Sequence, residues 1–127
     1  MFKNIGPLER EVMEILWSRR EATAREICRE LEERGNRKAY STVRTIMSRL
    51  VRKRIVSQKV DKENRVYIYT PILSKAELEK RIVRNLFSEL LHRFEQSTIS
   101  YLAEELSDNE EEIEKIKQKL AELKKNV

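Results

Sequence analysis

A single cysteine, Cys28, leaves this chain no internal disulfide and no thiolate set for a zinc framework, and suits a reducing compartment. Only two glycines and two prolines occur among 127 residues, and there is neither a low-complexity linker nor a glycine-rich phosphate loop. The one histidine, His92, has no carboxylate or thiol cluster at ligand spacing around it, so no metal or cofactor is expected. No nucleophile–base motif stands out, so no catalytic residue is assigned and enzyme chemistry is not expected. No apolar run approaches the roughly 20 residues of a membrane span, and no signal peptide opens the sequence. A cytoplasmic protein is expected.

What the chain has is charge, unevenly placed. Charged and apolar residues each make up 39%, so a core is possible but a large one is not. Residues 1–73 hold 17 basic against 10 acidic residues, whereas 74–127 hold 10 against 12. The basic excess peaks over residues 37–65, with 10 cations and 2 acids. A positive segment this concentrated attracts a polyanion, either nucleic acid or an anionic surface.

Hydrophobic spacing orders the chain. Gly6-Pro7 opens a first helix carrying Leu8, Val12, Ile15 and Leu16 on one stripe, and the polar SRRE after Trp17 reads as a link. Thr23 and Glu26 form a capping box for a second helix with Ala24, Ile27, Cys28 and Leu31 inward, stopped by Gly35-Asn36. A third helix, about 41–54, buries Val43, Ile46, Met47 and Leu50. Its opposite face carries Thr42, Arg44, Thr45, Ser48, Arg49 and Arg52, and no carboxylate occurs over residues 39–60. The period then shortens to that of a hairpin, 56–60 and 66–70 around the tip DKENR, which Pro71 ends. Three helices are predicted after it: from the Ser74/Glu77 capping box to about Phe94, from Ser97, and from a Ser107/Glu110 box.

Three helices and then a hairpin is the winged helix-turn-helix plan, in which the third helix enters the major groove and the hairpin is the wing. The expected fold is mainly α, with an α+β winged-helix DNA-binding domain at 1–73 and a three-helix dimerisation domain at 74–127. PLEREVMEILW, TAREICREL, AYSTVRTIMSRLVRKRIV and VYIYTPILSKAE resemble the penicillinase-repressor family, the BlaI/MecI-type winged-helix repressors of β-lactamase and methicillin-resistance genes. The resemblance runs over essentially the whole chain and is most specific in the T-V-R-T…R-L…K run at 42–53. It implies a homodimer on a palindromic operator.

Reach along the third helix separates the expected roles. Arg44 is the only cation in the first turns and is read as a base contact, with Thr42 and Thr45 beside it offering a hydroxyl or a methyl group. Tyr40 and Ser41 stand at the N-terminus, where free N–H groups favour a phosphate. Ser48, Arg49, Arg52 and Lys53 come later and are assigned to the DNA backbone. So are Lys62 and Arg65 on the wing, and Thr23 and Arg25 at the start of the second helix. Trp17, Tyr67 and Tyr69 are read as packing residues rather than base-stacking ones.

The apolar stripes beyond residue 73 are Leu78, Ile82, Leu86 and Leu90, then Ile99, Leu102 and Leu106, then Ile113, Ile116, Leu120 and Leu123. They bury little alone and suit a second copy, which would set two reading helices about one turn of DNA apart. Relatives are cleaved by a membrane sensor-protease at an Asn–Phe bond. The resemblance thus implies a membrane sensor-protease as a further partner, but Ser100-Tyr101 stand at that place here and the departure puts cleavage-based induction in doubt. The C-terminal cysteine cluster of copper-responsive relatives is also missing. The alternative reading is a winged-helix protein-interaction module with its basic face on an acidic partner. A basic helix on an anionic membrane ranks last, because the face lacks an inserting Trp or Phe.

Overall fold

The computed structural model describes residues 5–126. Its elements run α1 (Pro7–Arg19), α2 (Ala24–Glu33), α3 (Tyr40–Arg52), β1 (Val56–Asp61), β2 (Val66–Pro71), α4 (Lys75–Arg93), α5 (Glu95–Leu106) and α6 (Glu110–Asn126). They fall into two compact units, Met1–Glu79 and Lys80–Val127, the division lying inside α4.

In the first unit each helix ends where local chemistry stops it. Pro7 takes the first helical position of α1, where its missing N–H is not needed. The capping box of α2 is complete: Thr23 Oγ1 accepts from the Glu26 N–H and Glu26 Oε1 from the Thr23 N–H. The helix closes on Gly35 at φ 80°, with the Asn36 N–H donating to the Leu31 carbonyl and the Gly35 N–H to that of Glu32. α3 closes through the same pair of bonds, Ile55 to Leu50 and Arg54 to Val51, but the left-handed residue is Arg54, at φ 61°. An arginine there carries strain that glycine would not.

The core between these helices is made of Val12, Met13, Ile15, Leu16, Ile27, Leu31, Val43, Ile46, Met47 and Leu50, all buried. β1 and β2 pair antiparallel, from Val56 opposite Pro71 to Asp61 opposite Val66. A third, one-residue strand lies beside them. Ala22 pairs with Tyr69, its N–H donating to the Tyr69 carbonyl at 3.0 Å and its own carbonyl accepting at 2.9 Å. Ser18 and Arg19 of the expected SRRE link still belong to α1, and Ala22, the residue just after that link, fastens the wing to the helices. Trp17 Nε1 donates to the Leu73 carbonyl at 2.9 Å, and Lys75 pairs with Glu14 at 3.0 Å, so the start of α4 is tied to α1. Ser74 and Glu77 make the expected reciprocal cap.

The second unit departs from expectation in two places. α5 starts at Glu95 rather than Ser97, because one residue, Phe94 with φ −134° and ψ 54°, breaks the helical run. Neither glycine nor proline marks that break. α6 is capped by Asn109, whose Oδ1 accepts from the Glu111 and Glu112 N–H groups, while the Ser107 hydroxyl donates to Glu112 Oε2. Ser107 lies too far from the helix start to act as the predicted cap. α5 packs on α6, Leu91, Ala103 and Leu120 are buried, and Lys124 pairs with Glu95 at 2.6 Å.

A candidate DNA-reading surface

α3 has two faces with separate tasks. Val43, Met47 and Leu50 are fully buried and Ile46 nearly so, whereas Ser41, Thr42, Arg44, Thr45, Ser48, Arg49 and Arg52 are exposed. The N-cap residue, Ala39, supplies no side-chain acceptor, so the first N–H groups of α3 stay open to an anion. At α2 the opposite holds. The Glu26 carboxylate already occupies the N-terminus, and Thr23 Oγ1 accepts from the Glu26 N–H. Thr23 is thereby a weaker candidate for the DNA backbone than it looked in sequence. The Thr23 N–H and the Arg19 guanidinium hold Glu26 below its ordinary pKa, the backbone hydrogen bond contributing most.

Arg44 does not extend freely into solvent. Its guanidinium lies 5.9 Å from the ring centroid of Tyr40 and 5.9 Å from that of Tyr67 on β2, and Nη1 donates to the Tyr40 hydroxyl at 3.5 Å. That hydrogen bond, and then the nearby phenols, raise its pKa. Arg25 sits closer on the Tyr40 ring, at 4.8 Å. These side chains, with Arg65, line a cleft of about 130 Å³ between the starts of α2 and α3 and strand β2. Tyr69 forms its buried wall, and burial raises its pKa. Tyr67, read in the sequence as a packing residue, is instead exposed and faces Arg44. The available signal was strand alternation, which puts it on the same face as Tyr69.

Three other side chains acquire partners that change their reading. Thr45 Oγ1 donates to the Ser41 carbonyl at 3.0 Å, so its hydroxyl hydrogen is spent within the helix and a methyl remains to be offered. Lys53 was expected on phosphates, but its Nζ donates to Glu9 Oε2 at 2.9 Å, tying the end of α3 to α1. On the wing, Asp61 accepts from the Glu63 and Asn64 N–H groups and from the Asn64 amide. That amide bond is the largest cause of its lowered pKa. The turn leaves Lys62 and Arg65 exposed, Arg65 at φ 54°.

The sequence profile described as "Penicillinase repressor" matches residues 5–122. The chain belongs to the penicillinase-repressor family. Among its family relatives, the Transcriptional regulator BlaI of Mycobacterium tuberculosis is 41% identical over 75 residues, covering 58% of this chain. The match spans about half of that protein's length, 52%. The Methicillin resistance regulatory protein MecI of Staphylococcus aureus is 26% identical over 115 residues, 89% of each chain. The solution structure of the DNA binding domain of the repressor BlaI superposes with a TM-score of 0.51 at 25% identity. It covers 61% of this chain and 90% of that domain. The winged-helix fold is thus the fold of this family member. Among the described residues no helix is long and apolar enough to cross a membrane.

In the second unit the expected dimerisation stripe is not uniform. Leu78, which belongs to the first unit, and Leu120 are both buried, so neither is available to a partner. Ile82, Leu86, Ile99, Leu102, Ile113 and Ile116 are half-buried, and Leu90, Leu106 and Leu123 are exposed. Val83, Phe94 and Tyr101 are exposed apolar residues that the stripes had not included.

Proposed function

We propose that the chain is a dimeric transcriptional repressor that occupies a palindromic operator, with α3 in the major groove and the β1–β2 hairpin as the wing. The observation that carries this reading is the exposed face of α3. It is free of carboxylate, starts on open N–H groups and has Arg44 in its first turns beside the wing. A major groove about 12 Å wide admits such a helix. The relatives named as regulators, and the one solved as a DNA binding domain, support the same reading.

Within it, Arg44 and Thr42 address base edges and Thr45 offers its methyl to thymine. Tyr40, Ser41, Ser48, Arg49, Arg52, Lys62, Arg65 and Arg25 position the protein on the backbone, with Thr23 at the margin. Lys53 holds α3 in place rather than gripping phosphate. The exposed Leu90, Leu106 and Leu123, joined by Val83, Phe94 and Tyr101, meet a second copy. Release by a membrane sensor-protease forms no part of the proposal. The Ser100–Tyr101 bond lies inside α5 and lacks the Asn–Phe pair.

The test starts from duplex selected out of a random pool by the full chain. Arg44→Ala lowers its preference for that duplex over a shuffled one by roughly 5- to 150-fold, with little change on the shuffled duplex. Arg49→Ala weakens both alike and lowers the salt slope by about one. Equal losses on both duplexes for both variants refute the assignment. No duplex binding at moderate salt, with capture of an acidic protein instead, favours an interaction module.

A further inference from the structure

We propose that Tyr67 on the wing and Tyr40 at the start of α3 are positioning residues for base recognition, together holding the Arg44 guanidinium ready to read. This rests on the assignment of Arg44 to base edges. The two rings come from different elements, yet both centroids stand 5.9 Å from the guanidinium, within the roughly 6 Å over which a cation is drawn to an aromatic face. Arg25, at 4.8 Å, fixes the Tyr40 ring from the α2 side. The Ala22–Tyr69 pair fixes β2 two residues from Tyr67. Arg44 is therefore bracketed by three elements, α2 through Arg25, α3 through Tyr40 and the wing through Tyr67.

An arginine free in solvent gives up rotamer freedom when it docks on a guanine, and that loss weakens the contact. One already bracketed has less to lose. Tyr67 carries no formal charge and is assigned no phosphate contact, so it acts on the preference among sequences and not on the phosphate component of binding. The wing, in this reading, does more than lie on the backbone, because it sets how well α3 discriminates.

The experiment uses the full chain, a duplex it selects from a random pool and a shuffled duplex of equal composition. Tyr67→Leu lowers the selected-over-shuffled preference about 2- to 5-fold, the range for an exposed cation–aromatic contact. Tyr67→Phe keeps the ring and stays close to wild type. Affinity for the shuffled duplex, its salt slope and the thermal midpoint are unchanged in both, Tyr67 being 39% exposed. Once Arg44 is alanine, adding Tyr67→Leu changes nothing further. A Tyr67→Leu loss that persists in the Arg44→Ala background overturns the positioning role alone and marks Tyr67 as a direct DNA contact. An unchanged preference in Tyr67→Leu, or an equal loss in Tyr67→Phe, also overturns the positioning role. An Arg44→Ala protein with wild-type preference overturns both this inference and the reading beneath it.

Discussion

Lys53→Met removes an ammonium and keeps most of the side-chain stem, so it tests what the end of α3 is for. The Glu9 side chain is only 9% exposed and that of Lys53 is 32% exposed, with their charged atoms 2.9 Å apart. An exposed pair contributes at most about 1 kcal/mol. Breaking a fully buried one costs about 3–5 kcal/mol, because a desolvated charge is left alone. This pair lies between the limits, since Glu9 is shut off from water and Lys53 is not. A loss of about 2 kcal/mol follows, or roughly 10 °C in the midpoint of a winged unit of this size. Thermal and urea unfolding of the full chain read it. Adding Glu9→Gln removes the stranded carboxylate, so the double variant is more stable than Lys53→Met alone. Shuffled-duplex affinity is measured below both midpoints. A midpoint within about 2 °C of wild type, together with a salt slope lower by about one, refutes the tether and returns Lys53 to the DNA backbone.

Two further outcomes follow from other parts of the fold. Glu26 is held below its ordinary pKa, so its contribution is present above the unfolded value and lost as pH falls toward the folded one. Glu26→Gln is therefore less stable than wild type at pH 7, the gap closes on acidification below about pH 4, and a gap that widens there contradicts the assignment. In the second unit, Leu106→Glu places a charge on a residue 67% exposed in one chain and raises the dimer dissociation constant at least about tenfold in sedimentation. An unaltered constant excludes that face as the interface.

Periodic features were legible in sequence and singular ones were not. Val43, Ile46, Met47 and Leu50 announce the inner face of α3 because a helix repeats its burial every three to four residues, and all four are buried. Thr23 and Glu26 announce their cap because both partners lie within one turn. The Ser107/Glu110 spacing satisfied the same rule and misled, because Asn109, one residue before α6, is better placed to accept its first N–H groups. Phe94 breaks the α4–α5 run without a residue whose backbone demands it. Ala22 is a strand of one residue and has no period to detect. Lys53 and Glu9 lie 44 residues apart, so no local spacing relates them. The outline of the reading surface could be drawn from charge and element order. The bracketing of Arg44 could not, since it depends on where a strand and two helices meet.

The fastening of Ala22 to Tyr69 also bears on how the chain acquires its shape. That bond pair, and the Trp17–Leu73 bond spanning 56 residues, join the beginning of the winged unit to its end. Contacts that distant close slowly, because the intervening chain must first give up its freedom. During synthesis α1, α2 and α3 can coil as they emerge, but neither fastening exists until residues 69 to 73 have left the ribosome. A nascent chain stopped inside the hairpin carries every cation of α3 but lacks the wing's part of the frame, the Tyr67 ring beside Arg44 and the strand that holds it.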